Sequence, residues 1–250
     1  MVNLIKILTP LVLFILSLNV NANVALSKHR LFFDNNTRTE ALQLRNTGSV
    51  TMEYSAELSL VEMTEEGTLR KIEADPFSAI KLLRFSPKRG TIAPGGRQAL
   101  RFAVRKPANL PVGEYRAVLN LTSTYTGGSL GNVNLNTKLS YNVPVIIRHG
   151  RTEATSELLE PKLVMLEDVP HIEVWQSLDG NRSLFGNFIA TDKNGNEVGL
   201  VNHIAAYMPL SRRKVFIPLT KEVSGLVTIK YNEIAEFGGS IESTTTLDIE

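Results

Sequence analysis

The stretch VNLNTKLSYNVPVII, residues 133–147, alternates with a period of two. Val133, Leu135, Leu139, Tyr141, Val143, Val145 and Ile147 share one parity with Thr137. Asn134, Asn136, Lys138, Ser140, Asn142, Pro144 and Ile146 share the other. Successive side chains of an extended chain point to opposite sides, so the stretch predicts one long β-strand with an apolar face and a largely polar one. A usual strand is only about five or six residues long. Pro144 has no N–H to give a central ladder, which places the strand at a sheet border. An ordinary half-buried sandwich strand alternates in the same way. A sharper reading stands beside that one: a long apolar border is a liability that proteins blunt, and one left open serves to pair with another chain.

The chain on either side is built of short extended segments closed by turn residues. Residues 26–33 predict a first strand, ended by Asp34-Asn35-Asn36, and 40–45 a second, turned by Asn46-Thr47-Gly48. Residues 52–63 alternate with Tyr54, Ala56, Leu58 and Leu60 on one face. Residues 80–85, 98–104 and 114–122 predict further strands, the second with Leu100, Phe102 and Val104 inward. Ile92-Ala93-Pro94-Gly95-Gly96 reads as a tight turn, and Gly127, Gly128 and Gly131 as a loop leading into the long strand. Regular short strands without an amphipathic helix predict an all-β sandwich. A boundary falls at residues 149 and 150. Beyond it, segments 162–166, 171–176, 183–191, 198–207, 214–219, 226–231 and 244–249 predict a second, smaller sandwich or barrel, with Asn194-Gly195 as a hairpin turn.

Composition narrows the function. The 27 basic and 25 acidic residues leave a net charge of +2, scattered along the chain, which argues against a nucleic-acid surface. Lys6, the apolar run 7–20 and Val20-Asn21-Ala22 predict a cleaved signal peptide over residues 1–22 and a mature start at Asn23. The competing reading, an uncleaved anchor, needs about 20 apolar residues. The protein is therefore expected to be exported. It has no cysteine, so disulfides and cysteine-based metal sites are excluded.

His29, His149, His171 and His203 lie too far apart in sequence to form a metal pair within one element. The zinc-protease, nucleophile-elbow and P-loop motifs are missing. Residues 192–197 begin like a calcium loop, but their glycine and terminal glutamate are misplaced, so they read as a hairpin turn. No catalytic residue, cofactor, metal or small-molecule substrate is predicted.

Four segments together resemble the PapD-like periplasmic chaperones of the chaperone–usher pilus pathway, in a divergent short-loop form. They are Arg30-Leu31-Phe32-Phe33; Phe85-Ser86-Pro87 with the run from Ile92 to Arg101; Leu110-Pro111 with residues 114–121; and the long strand ending at Arg148. They cover most of residues 23–149, the chaperone domain, while residues 150–250 match mainly in length and strand texture. The resemblance implies two immunoglobulin-like sandwiches set at an angle around a cleft. It implies that the edge strand completes an unfinished pilus subunit by donor-strand complementation, for delivery to an outer-membrane usher. Val133, Leu135, Leu139, Tyr141 and Val143, with Thr137, would be the inserted set.

Arg30 matches the family's cleft arginine, which grips the subunit's terminal carboxylate. The lysine that shares this task has Pro144 at its position here. Lys138, Arg148, a second-domain residue or the backbone alone are the substitutes. Glu114 and Arg148 match an interdomain salt bridge, and an ordinary surface pair is the plainer reading. The same border allows a self-capping dimer when no subunit is present. The alternative class is a structural fibre subunit or an immunoglobulin-like adhesin. A fibre subunit needs an alternating apolar extension at its mature start, where only Val24 and Leu26 are in register.

Overall fold

The computed structural model describes residues 24–130 and 133–250, with the backbone alone over the strand residues from 126 to 136. The expected signal peptide and the side chains of Val133 and Leu135 lie outside that description. Residues 24–149 form two facing sheets. One holds β1 (Val24–Leu26), β3 (Thr39–Asn46), β8 (Arg97–Val104) and β6 (Leu83–Ser86), in the order β1–β3–β8–β6. The other runs β2 (Leu31–Phe33), β10 (Val133–His149), β9 (Gly113–Leu130), β4 (Met52–Met63) and β5 (Leu69–Ile72), in that order, with β7 (Arg89–Ile92) also on β4.

Two expectations change here. The strand predicted over 26–33 is two strands in different sheets: β1 pairs with β3, and β2 pairs parallel to β10. The polar run Ser27-Lys28-His29-Arg30 is the crossing between them, because four successive polar residues leave nothing to bury on either face. The loop predicted around Gly127 and Gly128 is instead the end of β9, so the β9–β10 hairpin is longer than its glycines suggest.

Alternation sets the core. Met52, Tyr54, Ala56 and Leu60 of β4 meet Leu100, Phe102 and Val104 of β8, and Leu119, Leu121, Val143, Val145 and Ile147 close the cluster. Asn46 is fully buried. Its Nδ2 donates to the Val50 and Ile92 carbonyls and its Oδ1 accepts from the Gly48 N–H, so one side chain holds two turns. At the start of β9 the Tyr115 hydroxyl donates to the Pro111 carbonyl at 2.8 Å. This is the tyrosine corner of immunoglobulin-like sandwiches.

Residues 154–250 build a second core. One sheet holds β12 (Leu158–Leu166), β13 (Val169–Ser177) and β17 (Arg212–Pro218). The other holds β16 (Glu197–Ala206), β15 (Leu184–Asp192), β18 (Gly225–Glu233) and β19 (Glu242–Ile249). Two-residue strands β11 (Ala154–Thr155) and β14 (Asp179–Gly180) pair beside them. Each of the seven predicted segments here is a strand. Between β15 and β16, Asp192 Oδ1 accepts the Asn194 and Asn196 N–H groups and Gly195 takes φ 81°, so residues 192–197 form a hairpin turn. Among the described residues the molecule is nearly all-β, with one 3-10 turn at Ala235–Phe237.

An open sheet border beside a cleft

β10 pairs with β9 along its length, but among the described residues its other side meets only β2, and only at Val145–Ile147. From residue 136 to Pro144 no other strand among the described residues pairs with that side. The orientation of the ladder follows from one bond. The Ala56 N–H donates to the Lys88 carbonyl, away from β9. In an antiparallel pair both backbone groups of a residue face the same neighbour, so Ser55 and Glu57 face β9, opposite Thr122 and Asn120.

Even-numbered residues of β9 therefore bond towards β4, as the Arg116 N–H does in donating to the Phe77 carbonyl. Odd-numbered residues then bond β10, pairing Ser123 with Leu139, Leu121 with Tyr141 and Leu119 with Val143. The backbone groups of Lys138, Ser140 and Asn142 point outward. Pro144 lacks its N–H on this same outer side, where no ladder bond is lost.

The apolar parity of β10 divides in two. Val143, Val145 and Ile147 are buried in the chain's own core. A side chain held there cannot also fill another protein's groove, so Val143 leaves the inserted set. Leu139 and Tyr141 are half-buried against the edge of that core, the Tyr141 hydroxyl donating to the Val24 carbonyl at 3.2 Å. Thr137 and Lys138 are exposed.

Where the border ends, a cleft of about 790 Å³ opens between the two sandwiches. β2 positions Arg30, which precedes Leu31 and so stands level with Pro144. Its guanidinium lies 3.8 Å from the Phe185 ring centroid, with Phe237 and Tyr207 also within 6 Å, and its Nη2 donates to the Tyr207 hydroxyl at 3.2 Å. Its buried Nε has no partner among the described residues. An arginine fixed on aromatic faces, with donors to spare, suits an incoming anion.

Neither named substitute for the second cation reaches this point. Lys138 precedes Pro144 by six positions, roughly 20 Å along a strand. Arg148 is committed elsewhere: its Nε donates to Glu114 Oε2 at 3.1 Å, its Nη1 to the Phe237 carbonyl at 2.8 Å and its Nη2 to the Ser183 carbonyl at 3.4 Å. Burial pushes the Arg148 guanidinium down from its ordinary value, and the Glu114 carboxylate beside it opposes that. Glu114 and Arg148 are thus a buried ion pair within the first sandwich. The link to the second is made by the arginine's bonds to two carbonyls.

Sequence reasoning did not find the aromatic wall of the cleft. Phe185 and Tyr207 sit in stretches that read as ordinary strand, and only Phe237, followed by Gly238-Gly239, is set among turn residues. Among the described residues, no group of three or more His, Asp or Glu could hold a metal ion.

No family model and no curated protein matches the sequence. Solved structures do match. The chain is similar to the YadV chaperone, at 11% identity over 90% of this chain and 99% of that one, with a TM-score of 0.52. It is also similar to a chain of the CsuC–CsuE chaperone–tip adhesion subunit pre-assembly complex from archaic chaperone-usher Csu pili of Acinetobacter baumannii (12%, 91% and 98%, TM-score 0.50). A chain of the Salmonella enterica SafA pilin–SafB chaperone complex matches as well (12%, 90% and 96%, TM-score 0.50). The fold is that of the two-domain, immunoglobulin-like pilus chaperones.

Proposed function

We propose that this protein is a periplasmic chaperone that binds pilus subunits by strand addition and hands them to an outer-membrane usher, with no catalysis and no cofactor. Residues 23–149 form the subunit-binding domain and 150–250 its C-terminal companion. The observation that carries the reading is the outer side of β10 from residue 136 to Pro144, which pairs with no strand among the described residues and runs straight into the Arg30 cleft. A guest strand laid on the outward N–H and C=O groups of Lys138, Ser140 and Asn142 gains a backbone ladder. The apolar parity from Val133 through Leu135 and Thr137 to Leu139 and Tyr141 faces the guest's unfinished core. If the guest's terminal carboxylate is to reach Arg30, the guest must run parallel to β10, continuing the line of β2. Register is set by the alternation, since a slip of one residue would present the polar parity instead.

Co-expression with exported all-β proteins, followed by co-purification from the periplasm, tests this. Wild type should capture partners that Leu139→Asp captures poorly, and Arg30→Glu should weaken capture more than it weakens folding. Equal capture by wild type and Leu139→Asp would remove the strand-addition mechanism and leave a structural fibre protein or adhesin. Without a partner, the same border can be capped by a second copy. Sedimentation should then show a dimer that dissociates when a partner is added.

A further inference from the structure

We propose that His203 is the second ligand of the anion site at Arg30, so that the cleft holds a carboxylate more tightly as the imidazole gains its proton. This rests on the reading of Arg30 as the grip on a guest's terminal carboxylate. The observation behind it is a bulge. Opposite Asn187 of β15, strand β16 has two residues, Asn202 and His203, where the register shifts between the Gly186–Ile204 and Phe188–Val201 pairs. His203 takes φ 61°, a left-handed conformation that histidine, asparagine and aspartate adopt more readily than other residues with side chains. The Asn187 side chain fixes it there by accepting the His203 N–H at 2.9 Å. Bulges re-aim side chains.

Here the bulge delivers an imidazole to the cleft wall. It stacks on Phe185, with ring centroids 5.8 Å apart and planes at 16°, and Arg30 lies on the same Phe185 ring. Both groups thus contact one aromatic ring in the lining of the same cleft. Histidine changes its charge in the mild pH range, and as a cation both of its ring nitrogens donate.

The other charged and titratable groups of the cleft are Arg30, Lys28, His29, Asp34, Glu40, Tyr207 and Glu236. Lys28 is already paired with Glu40. Asp34 is held below its usual value by the N–H of Thr37 and keeps its charge in this range. Phe185 and Asn187, which face His203 from β15, carry none. His29 is the one other imidazole of the cleft and serves as the control.

The test uses the full chain and two synthetic peptides of alternating valine and threonine, one ending in a free carboxylate and the other in an amide. Affinities are measured by calorimetry at pH about 6 and about 8. In wild type the preference for the carboxylate should be about tenfold larger at the lower pH, the size of one charge-assisted bond in a partly solvated site. His203→Asn, chosen because asparagine tolerates positive φ, should show the same preference at both pH values. His203→Lys should hold the larger preference at both, and His29→Asn should behave as wild type. If His203→Asn keeps the pH-dependent gain, His203 is merely wall, while Arg30 retains its role. A wild type that treats the two peptides alike would overturn the carboxylate reading of Arg30 as well.

Discussion

Asp34 ends β2 by turning its carboxylate back on the chain. Its Oδ1 accepts the Thr37 N–H at 2.6 Å and the Asn36 N–H at 2.8 Å, and its own carbonyl accepts from Lys106 Nζ. The Thr37 N–H is the main cause that holds the carboxyl below the usual 3.8, against the opposing effect of burial. A carboxyl whose pKa is depressed by folding stabilises the folded state above its unfolded value, and that contribution is lost as pH falls through the folded value. Asp34→Asn keeps the shape and an acceptor but not the charge, so at neutral pH it should cost about 0.5–1.5 kcal/mol. Urea unfolding at stepwise lower pH should show the gap between wild type and variant closing below 3.8. A gap that stays constant through that range would mean the charge has no part in the turn.

At the scale of the element, β10 does two jobs with one sequence pattern, and amide hydrogen exchange should separate them. The amides of Ser140 and Asn142 point out of the sheet, while those of Leu139, Tyr141 and Val143 bond β9. Exchange should therefore alternate, fast at 140 and 142 and slow at 139, 141 and 143. A guest should slow the fast set while leaving the slow set nearly unchanged. Uniformly slow exchange in the free monomer would mean that the border is not open. Pro144→Val places a new amide on the outer side, and this amide should exchange fast, with stability moving by less than about 1 kcal/mol. Val143→Ala should instead cost about 2 kcal/mol in folding, because Val143 belongs to the chain's own core.

These strand features were legible because alternation and a proline are local signals: the existence of β10 and its border position both follow from residues 133–147. The division of labour within it was not legible, because Val143 and Leu139 have the same parity and the same chemistry. What separates them is how far the opposite sheet reaches, and that depends on strands outside residues 133–147. The break between β1 and β2 was in principle readable from the polar run 27–30, whereas the apolar flanks Leu26 and Leu31 suggested continuity. The cleft wall was unreadable for a third reason. Phe185, His203, Tyr207 and Phe237 come together only through the placing of one sandwich against the other, and a bulge that turns His203 into the cleft has no sequence signature of its own.

Across the whole molecule, two cores that share no residue are joined by a largely polar seam. At one end, Glu65 at the tip of the β4–β5 hairpin accepts from Arg212 at 2.9 Å, and its carbonyl accepts the Lys214 N–H at 2.7 Å. Arg212 and Lys214 also stand over the ring of Trp175, the single tryptophan. At the other end, Phe32 meets Phe237 edge-on, the Glu114 N–H donates to the Asn181 carbonyl, and Arg148 reaches Phe237 and Ser183. The two ends differ in burial, which decides their energetics. The Arg212 and Glu65 side chains are 54% and 39% exposed, so Glu65→Gln should cost less than about 1 kcal/mol. The Glu114 side chain is 1% exposed. Removing its partner strands a carboxylate in the interior, so Arg148→Met should cost about 3–5 kcal/mol in urea unfolding. Most of that is the penalty of an unpaired charge and not the worth of the pair. Glu114→Gln combined with Arg148→Met should therefore be more stable than Arg148→Met alone. Trp175 fluorescence follows the second sandwich and far-ultraviolet circular dichroism follows both, so the two signals should separate in Arg148→Met if the seam couples the halves. If the double variant is no more stable than the single, the two lost carbonyl bonds to Phe237 and Ser183 set the cost, and the seam is held by Arg148 as a hydrogen-bond donor and not as a charge.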